Sequence, residues 1–330
     1  MINLPVAVFN KIKDKKNILI AGMGGGFDVY GGLPLYHYLK KLGKNVILAN
    51  YSFTNFSHFD ESFEFKKLSN FVFGTKGVFN ETAIDYFPEG YLARWLNQKM
   101  KIDDHVWMFP KVGPHYLNKA YKKLISTFGI DFIFLVDGGV DSLMTGDEEG
   151  FGTIIEDSIT LAAINSIEEV ESVVLNIGFG TEMEEKVCHH HALENIARIT
   201  KQSGFYGTCS LVNYMNCFQF YVRGCEYTFN QPGHKKSHIH TRIIPAAQGH
   251  FGNHHMYEDE ETIMQNDGKE VELFISPLMS QMWFFNSRAV IFNNKLMTYI
   301  EPLSTFQEVV EASMPRLKEW SKRKRKFIPY

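Results

Sequence analysis

Short apolar runs alternate with amphipathic stretches over the first 180 residues, a pattern that predicts strand, turn and helix in repetition. "NILIAG", Asn17 to Gly22, is a β-branched run of the continuously apolar kind found in strands buried on both faces. After it, Val29, Leu33, Leu35, Leu39 and Leu42 mark one face of a helix that Gly43 stops. "NVILANYSF" is a second strand and completes a βαβ unit, with a right-handed crossover if the sheet is parallel. "HVWMFP", "DFIFLVDGG" and "SVVLNIGFG" predict three more strands, with helices around Tyr116 to Phe128 and Ile154 to Ile167. The fold class is therefore α/β: a Rossmann-like, mainly parallel sheet with helices on both faces.

Past Gly180 the texture changes. "TEMEEKVCHHHALENIARITKQSG" reads as a helix, and Thr208 to Arg223 and Lys236 to Gln248 read as mostly helical. "VELFI" and "AVIFNN" read as edge strands, and Ser304 to Lys322 as the last helix. The expected organisation is a Rossmann-like core over 1–180 and a largely helical cap with edge strands over 181–330. No Pro/Ser linker divides them, so one large domain is expected.

Composition narrows the functional classes. The 330 residues are 45% hydrophobic and 22% charged, as in ordinary soluble globular proteins. A net charge of −3 argues against specific nucleic-acid binding. No signal-like start and no run of membrane-spanning length is visible, so no membrane partner is expected. The four cysteines, Cys188, Cys209, Cys217 and Cys225, form no CxxC pair and read as reduced thiols in a cytoplasmic protein. A small-molecule partner is expected, and a homo-oligomer is left open.

Candidate chemistry gathers at the strand ends, where open parallel sheets bind ligands. In "IAGMGGGFDVYGG", Gly24, Gly25 and Gly26 let backbone amides approach an anion or a sugar directly. The dinucleotide fingerprint is incomplete and no acidic residue closes the second strand, so a classical NAD site is not expected. Asp28 is read either as a cap for the following helix or as a ligand for a sugar hydroxyl or metal. In "DFIFLVDGGVDSLMTGDEEGFGTIIEDS" a strand delivers Asp137 to its C-terminal end, followed by Gly138, Gly139 and Asp141. Asp137, Asp141 and Asp147 are the candidate ligands for Mg²⁺ or another divalent cation, which needs several oxygen donors. Glu148 is an alternative to Asp147 there. The bland readings are solvated loop charges at 147–149 and a helix-dipole role for Glu156 and Asp157. Gly178 and Gly180 loosen a third strand-end turn, where Thr181 and Glu184 have capping-box spacing.

Nine of the 13 histidines fall between His189 and His255, without recognised zinc spacing. Most are expected to be structural, and His191 and His238 are the candidates to handle a proton beside Asp28 and Asp137. The basic run "KRKRKFIPY" reads as a solvated tail.

Two resemblances add to this reading. "DGGVDS" resembles the SGGxDS pyrophosphate loop of ATP-pyrophosphatases, with Asp137 where the first serine would stand. Over most of its length the chain resembles an uncharacterised domain-of-unknown-function family of microbial, largely archaeal, proteins with a GGGGDV-like first loop. The matching stretches are "GMGGGFDV", "DGGVDSLMTGDEEGFGTIIEDS", "NIGFGTEMEE" and "AAQGHFGNHH". That resemblance implies one large Rossmann-like domain and no particular activity. The expected function is an enzyme acting on a nucleotide, nucleoside or phosphorylated sugar, by hydrolysis or group transfer at a glycine-lined cleft. The alternatives are a non-catalytic sensor of a nucleotide-type ligand and, more weakly, an ATP-pyrophosphatase-like activity.

Overall fold

Successive residues of β1 (Asn17–Gly22) point to opposite faces of one sheet, and both faces are covered. Ile18 and Ile20 enter one apolar core, while Leu19 and Ala21 enter the other. That double burial is why the run is continuously apolar. The computed structural model describes residues 6–59, 61–81, 86–182, 186–231, 234–257, 273–320 and 322–328.

The remaining strands are β2 (Asn45–Tyr51), β3 (Phe65–Ser69), β4 (Val72–Thr75), β5 (Val106–Phe109), β6 (Phe132–Gly138), β7 (Glu171–Ile177), β8 (Phe205–Ser210), β9 (Gly252–Asn253), β10 (Phe274–Ile275) and β11 (Gln281–Asn286). Nine of them form one sheet in the order β3-β4-β5-β2-β1-β6-β7-β11-β8, and β9 pairs with β10 alone. β5, β2, β1, β6 and β7 are mutually parallel, whereas β4 and β11 run against their neighbours. This is a Rossmann-like α/β protein with a mostly parallel central sheet.

The winding positions the site. From β1 the chain builds outward through β2 to β5, then returns to the other side of β1 for β6 and β7. The reversal opens a crevice between the C-terminal ends of β1 and β6, the place where such sheets bind ligands. Helices Pro114–Phe128 and Ile154–Asn165 pack on one face, and Leu33–Lys41 and Asn216–Phe229 on the other.

Several expectations for the second half are corrected. Residues 205–210 are strand β8, and the helix begins only at Asn216. "AVIFNN" lies in and just beyond helix Ser287–Asn293, and the true sheet strand is β11, immediately before it. Of "VELFI", Val271 and Glu272 lie outside the described residues, and Phe274–Ile275 pairs with β9 instead of the main sheet. The helix expected from Thr181 starts at His189, after an extended Cys188. Thr181 Oγ1 donates to Gly178 O instead of capping that helix, and Glu184 lies outside the described residues. Among the described residues, no helix is long and apolar enough to cross a membrane.

Candidate functional site

At the end of β1 the chain turns through Met23–Phe27 before helix Asp28–Gly31. Met23 N donates to Val136 O, and Thr160 Oγ1 donates to Met23 O, so the turn is tied to β6 and to helix Ile154–Asn165. Gly25 adopts φ +107°, and a Cβ there would lie 2.3 Å from the Phe53 ring. Only glycine satisfies both conditions.

Two amides of this turn are taken by Asp28. Gly24 N and Gly25 N donate to Asp28 Oδ2 at 2.6 and 3.0 Å, and Gly138 N donates to Asp28 Oδ1 at 3.2 Å. Asp28 therefore organises the loop before it and the end of β6, a role different from capping its own helix. The other acids are held similarly. Asp137 Oδ2 accepts from Asn176 Nδ2 at 2.6 Å and Ser142 N at 3.2 Å. Asp141 Oδ2 accepts from Thr153 N and Oγ1 at 2.6 and 2.7 Å, and Glu182 Oε2 accepts from Val140 N at 2.6 Å.

Asp157 is different. It is buried in the first turn of helix Ile154–Asn165, yet neither carboxylate oxygen receives a hydrogen bond from any described donor. Gly24 presses against it: a Cβ there would sit 2.5 Å from Asp157 Oδ1 and 2.9 Å from Asp28 Oδ2. One ligand oxygen from each of Asp28, Asp137 and Asp157 lies within 4.8 Å of the others. The Asp141 carboxyl is within hydrogen-bonding reach of those of Asp157 and Glu182. Five acids thus form one continuous cluster at the switch point.

Its electrostatics are set by burial and by the crowding of like charges. Burial, followed by the charge of Asp141, raises the Asp28 carboxyl to about 7, against the pull of its three amides. Burial and then repulsion from Asp141 push Asp137, Asp157 and Glu182 well above the ordinary carboxylate range.

The cluster forms the floor of a cleft of about 510 Å³, within the range of small-molecule sites. Phe53 and Tyr86 line one side, and the segment Lys235–His240 lines another. His240 Nε2 meets Phe27 O at 3.0 Å and its Nδ1 meets Tyr221 OH at 2.7 Å. A carbonyl only accepts, so Nε2 carries the proton and Nδ1 accepts from the tyrosine. Burial lowers this imidazole to about 4, so it is a neutral brace for the first loop. His238 is exposed at the border of the cleft.

The structure brings together Asp28, Asp137, Asp141, Gly24, Gly25, Gly138 and His238. Gly139, Gly178 and Gly180, at φ +146°, +100° and +90°, shape the turns behind the cleft, and Gly26 packs beside Tyr86. Asp147 is elsewhere: it accepts from Lys295 Nζ at 2.6 Å and Arg323 Nε at 3.0 Å. Glu148 is buried and binds Arg323 Nη2 at 2.5 Å. These acids and the basic tail neutralise one another, so neither the loop nor Arg323 is simply solvated. His191 is also outside the cleft, with Nε2 3.0 Å from Lys324 O. Asp157, Glu182 and Asn176 were not singled out from sequence as site residues.

Fold and site together define a Rossmann-like α/β protein with a carboxylate-floored cleft at its switch point. The chain belongs to the family described as "Protein of unknown function (DUF1152)", whose model matches residues 89–317. The match includes Asp137, Asp141, Asp157 and Glu182, and begins after the first loop. No characterised protein and no solved structure matches the chain.

Substituting Gly24 with alanine tests how closely the nest fits. The methyl group displaces the Asp157 carboxylate, and the position needs no left-handed backbone. A divalent cation held by the three acids, as proposed below, is expected to bind at least about tenfold more weakly, or 1.4 kcal/mol, with the circular-dichroism spectrum unchanged. Calorimetry showing wild-type affinity would separate this glycine from cation binding.

Proposed function

We propose that this protein is a divalent-cation-dependent enzyme acting on a phosphorylated nucleotide or sugar, by hydrolysis or group transfer. The observation that carries the reading is Asp157, whose buried carboxylate meets no described donor besides the neighbouring Asp141 carboxyl and has an oxygen within 4.8 Å of oxygens of Asp28 and Asp137. A buried carboxylate without partners costs several kcal/mol unless protonated or neutralised by a cation. Three oxygens within 4.8 Å suit a Mg²⁺-sized ion, whose octahedral ligands at about 2.1 Å stand about 3 Å apart when adjacent and about 4.2 Å when opposite. Mg²⁺ keeps open positions for water and substrate phosphate, so the acids and a phosphate are complementary through the ion.

The rest of the cleft supports that substrate class. Lys235 and Lys236 also line it and suit a phosphate, while the aromatic rings of Phe53 and Tyr86 suit a base or sugar. His238 is our candidate for the proton on the attacking or leaving oxygen. The convergence of Asp28, Asp137 and a histidine in one cleft favours an enzyme over a sensor. An ATP-pyrophosphatase-like role has less support. The Gly138, Val140 and Ser142 amides of "DGGVDS", which would cradle a pyrophosphate, are spent on Asp28, Glu182 and Asp137.

Thermal unfolding with and without Mg²⁺ or Mn²⁺ tests the reading. Cation at a hundredfold excess over Kd stabilises the native state by about 2.7 kcal/mol, or about 5 °C for a chain this long. Asp137→Asn is expected to remove most of that shift. A wild-type midpoint unmoved by either cation would overturn the proposal. Turnover of a panel of nucleotides and sugar phosphates then identifies the substrate.

A further inference from the structure

His191 is buried in the first turn of helix His189–Lys201. Its Nε2 lies 3.0 Å from Lys324 O, and a carbonyl only accepts, so Nε2 carries the proton. The other ring nitrogen, Nδ1, is buried and meets no described partner. A second proton there would be a buried donor without an acceptor, so the ring is neutral and Nδ1 presents a lone pair. His190 repeats the pattern, with a buried Nδ1 that also meets no described partner. Two such nitrogens side by side are unfavourable unless something binds them. The helix supplies a third donor. Glu194 stands four residues after His190 and three after His191, so it neighbours both rings although consecutive side chains diverge by about 100°. One ligand atom from each of the three lies within 4.8 Å of the others. None of these residues lines the cleft.

We infer that His190, His191 and Glu194 bind a Zn²⁺ ion outside the cleft, and that this ion fastens the basic tail through the hydrogen bond from His191 to Lys324. The surrounding charges are mixed, and they select the kind of ion. Arg323 donates to Glu194 Oε2 at 2.5 Å while also serving Asp147 and Glu148, and Lys324 pairs with Glu149 at 3.7 Å. A hard cation held by charge alone gains little beside those basic groups. Neutral imidazole lone pairs suit a borderline ion such as Zn²⁺ instead. A backbone carbonyl on the far ring nitrogen is also the usual outer support of a zinc-binding histidine. Here the Lys324 carbonyl fixes the tautomer that leaves Nδ1 to the metal, and the bound metal in turn favours that hydrogen bond. Three protein donors leave the fourth tetrahedral position to water.

Calorimetric titration with Zn²⁺ tests the site, and Asp137→Asn separates it from the cleft. His190→Ala and His191→Ala are each expected to bind one Zn²⁺ fewer per chain than wild type, and that ion is the one Asp137→Asn retains. Both histidines are substituted because the buried His191 is the likelier of the two to disturb folding, whereas His190 is only half-buried. Glu194→Gln is expected to weaken the same binding event at least about tenfold. The tail gives a second readout, since trypsin cuts after the lysines and arginines of residues 322–326. Zn²⁺ is expected to slow that cleavage in wild type and to leave it unchanged in His190→Ala. A wild type that binds no Zn²⁺, or a histidine variant that folds and keeps the full complement, would overturn the site. An Asp137→Asn chain that binds none would place the ion in the cleft and overturn it equally. Zinc bound at the histidines with cleavage unslowed would overturn the fastening of the tail.

Discussion

Replacing Arg323 with alanine is expected to lower the thermal midpoint by roughly 6 °C, a loss of about 3 kcal/mol in a chain of this length. The guanidinium donates to Asp147 at 3.0 Å, to Glu148 at 2.5 Å and to Glu194 at 2.5 Å. Glu148 is fully buried, so its charge has no access to water once the cation is removed. The Thr145 and Gly146 amides and Asn195 Nδ2 still donate to it, which keeps the cost at the lower end of that for breaking a buried pair. Exposed pairs in the same tail, such as Lys324 with Glu149 at 3.7 Å, contribute far less. Differential scanning calorimetry of the single variant and of Arg323→Leu combined with Glu148→Gln separates these contributions. The double variant is expected to recover more than half of the loss, because no buried charge is left alone. A midpoint within about 1 °C of wild type for Arg323→Ala would show that the tail is not the anchor of this loop.

That anchor also explains which parts of the fold could be read from the chain. The five parallel strands announce themselves locally: each is a short apolar run, and most end in a turn. Asp137 was legible for the same reason, because an acid at the end of a buried strand has few structural uses. Asp147, Glu148 and Glu149 resembled solvated loop charges because their partners are distant in sequence: Lys295 lies 148 residues on, and Arg323 and Arg325 in the basic tail more than 170. Neither run reveals the other without the fold.

Asp157 and Glu182 were hidden differently. An acid in the first turn of a helix is ordinary helix-dipole chemistry, and nothing local shows that Asp157 turns away from the helix amides toward Gly24. Strand β8 escaped because it is half-exposed along its whole length and so lacks a clean alternation. Strand β11 inserts between β7 and β8 from far along the chain, a pairing with no local signature. The strand-end glycines suggest amides open to an anion, whereas Gly24 N, Gly25 N and Gly138 N donate to Asp28, so carboxylates share these turns with them.

That crowding of acids has a consequence for pH. In metal-free protein, stability is expected to fall as pH rises from about 4 to about 8. The Asp28 carboxyl titrates at about 7 in the native state against an ordinary value of 3.8, because burial disfavours its charge. Between those values the native state holds a proton that the unfolded chain has released. The stabilisation is fully present below the unfolded value and is lost as pH climbs through the native one. Each proton so held contributes a slope of about −1.4 kcal/mol per pH unit. Asp137, Asp157 and Glu182 are displaced in the same direction by burial and mutual repulsion, so the descent is expected to exceed that of one group. Saturating Mg²⁺ reverses the picture, since cations take the place of the protons and bind the ionised carboxylates. The gap between midpoints measured with Mg²⁺ and with a chelator is therefore expected to widen from about pH 5 to about pH 8, and the cation affinity to rise with it. Asp157→Asn removes one of the crowded acids and is expected to flatten the metal-free descent while abolishing the Mg²⁺ shift. A chelated wild type whose midpoint is level across this range would mean that the cluster holds no extra protons in the native state.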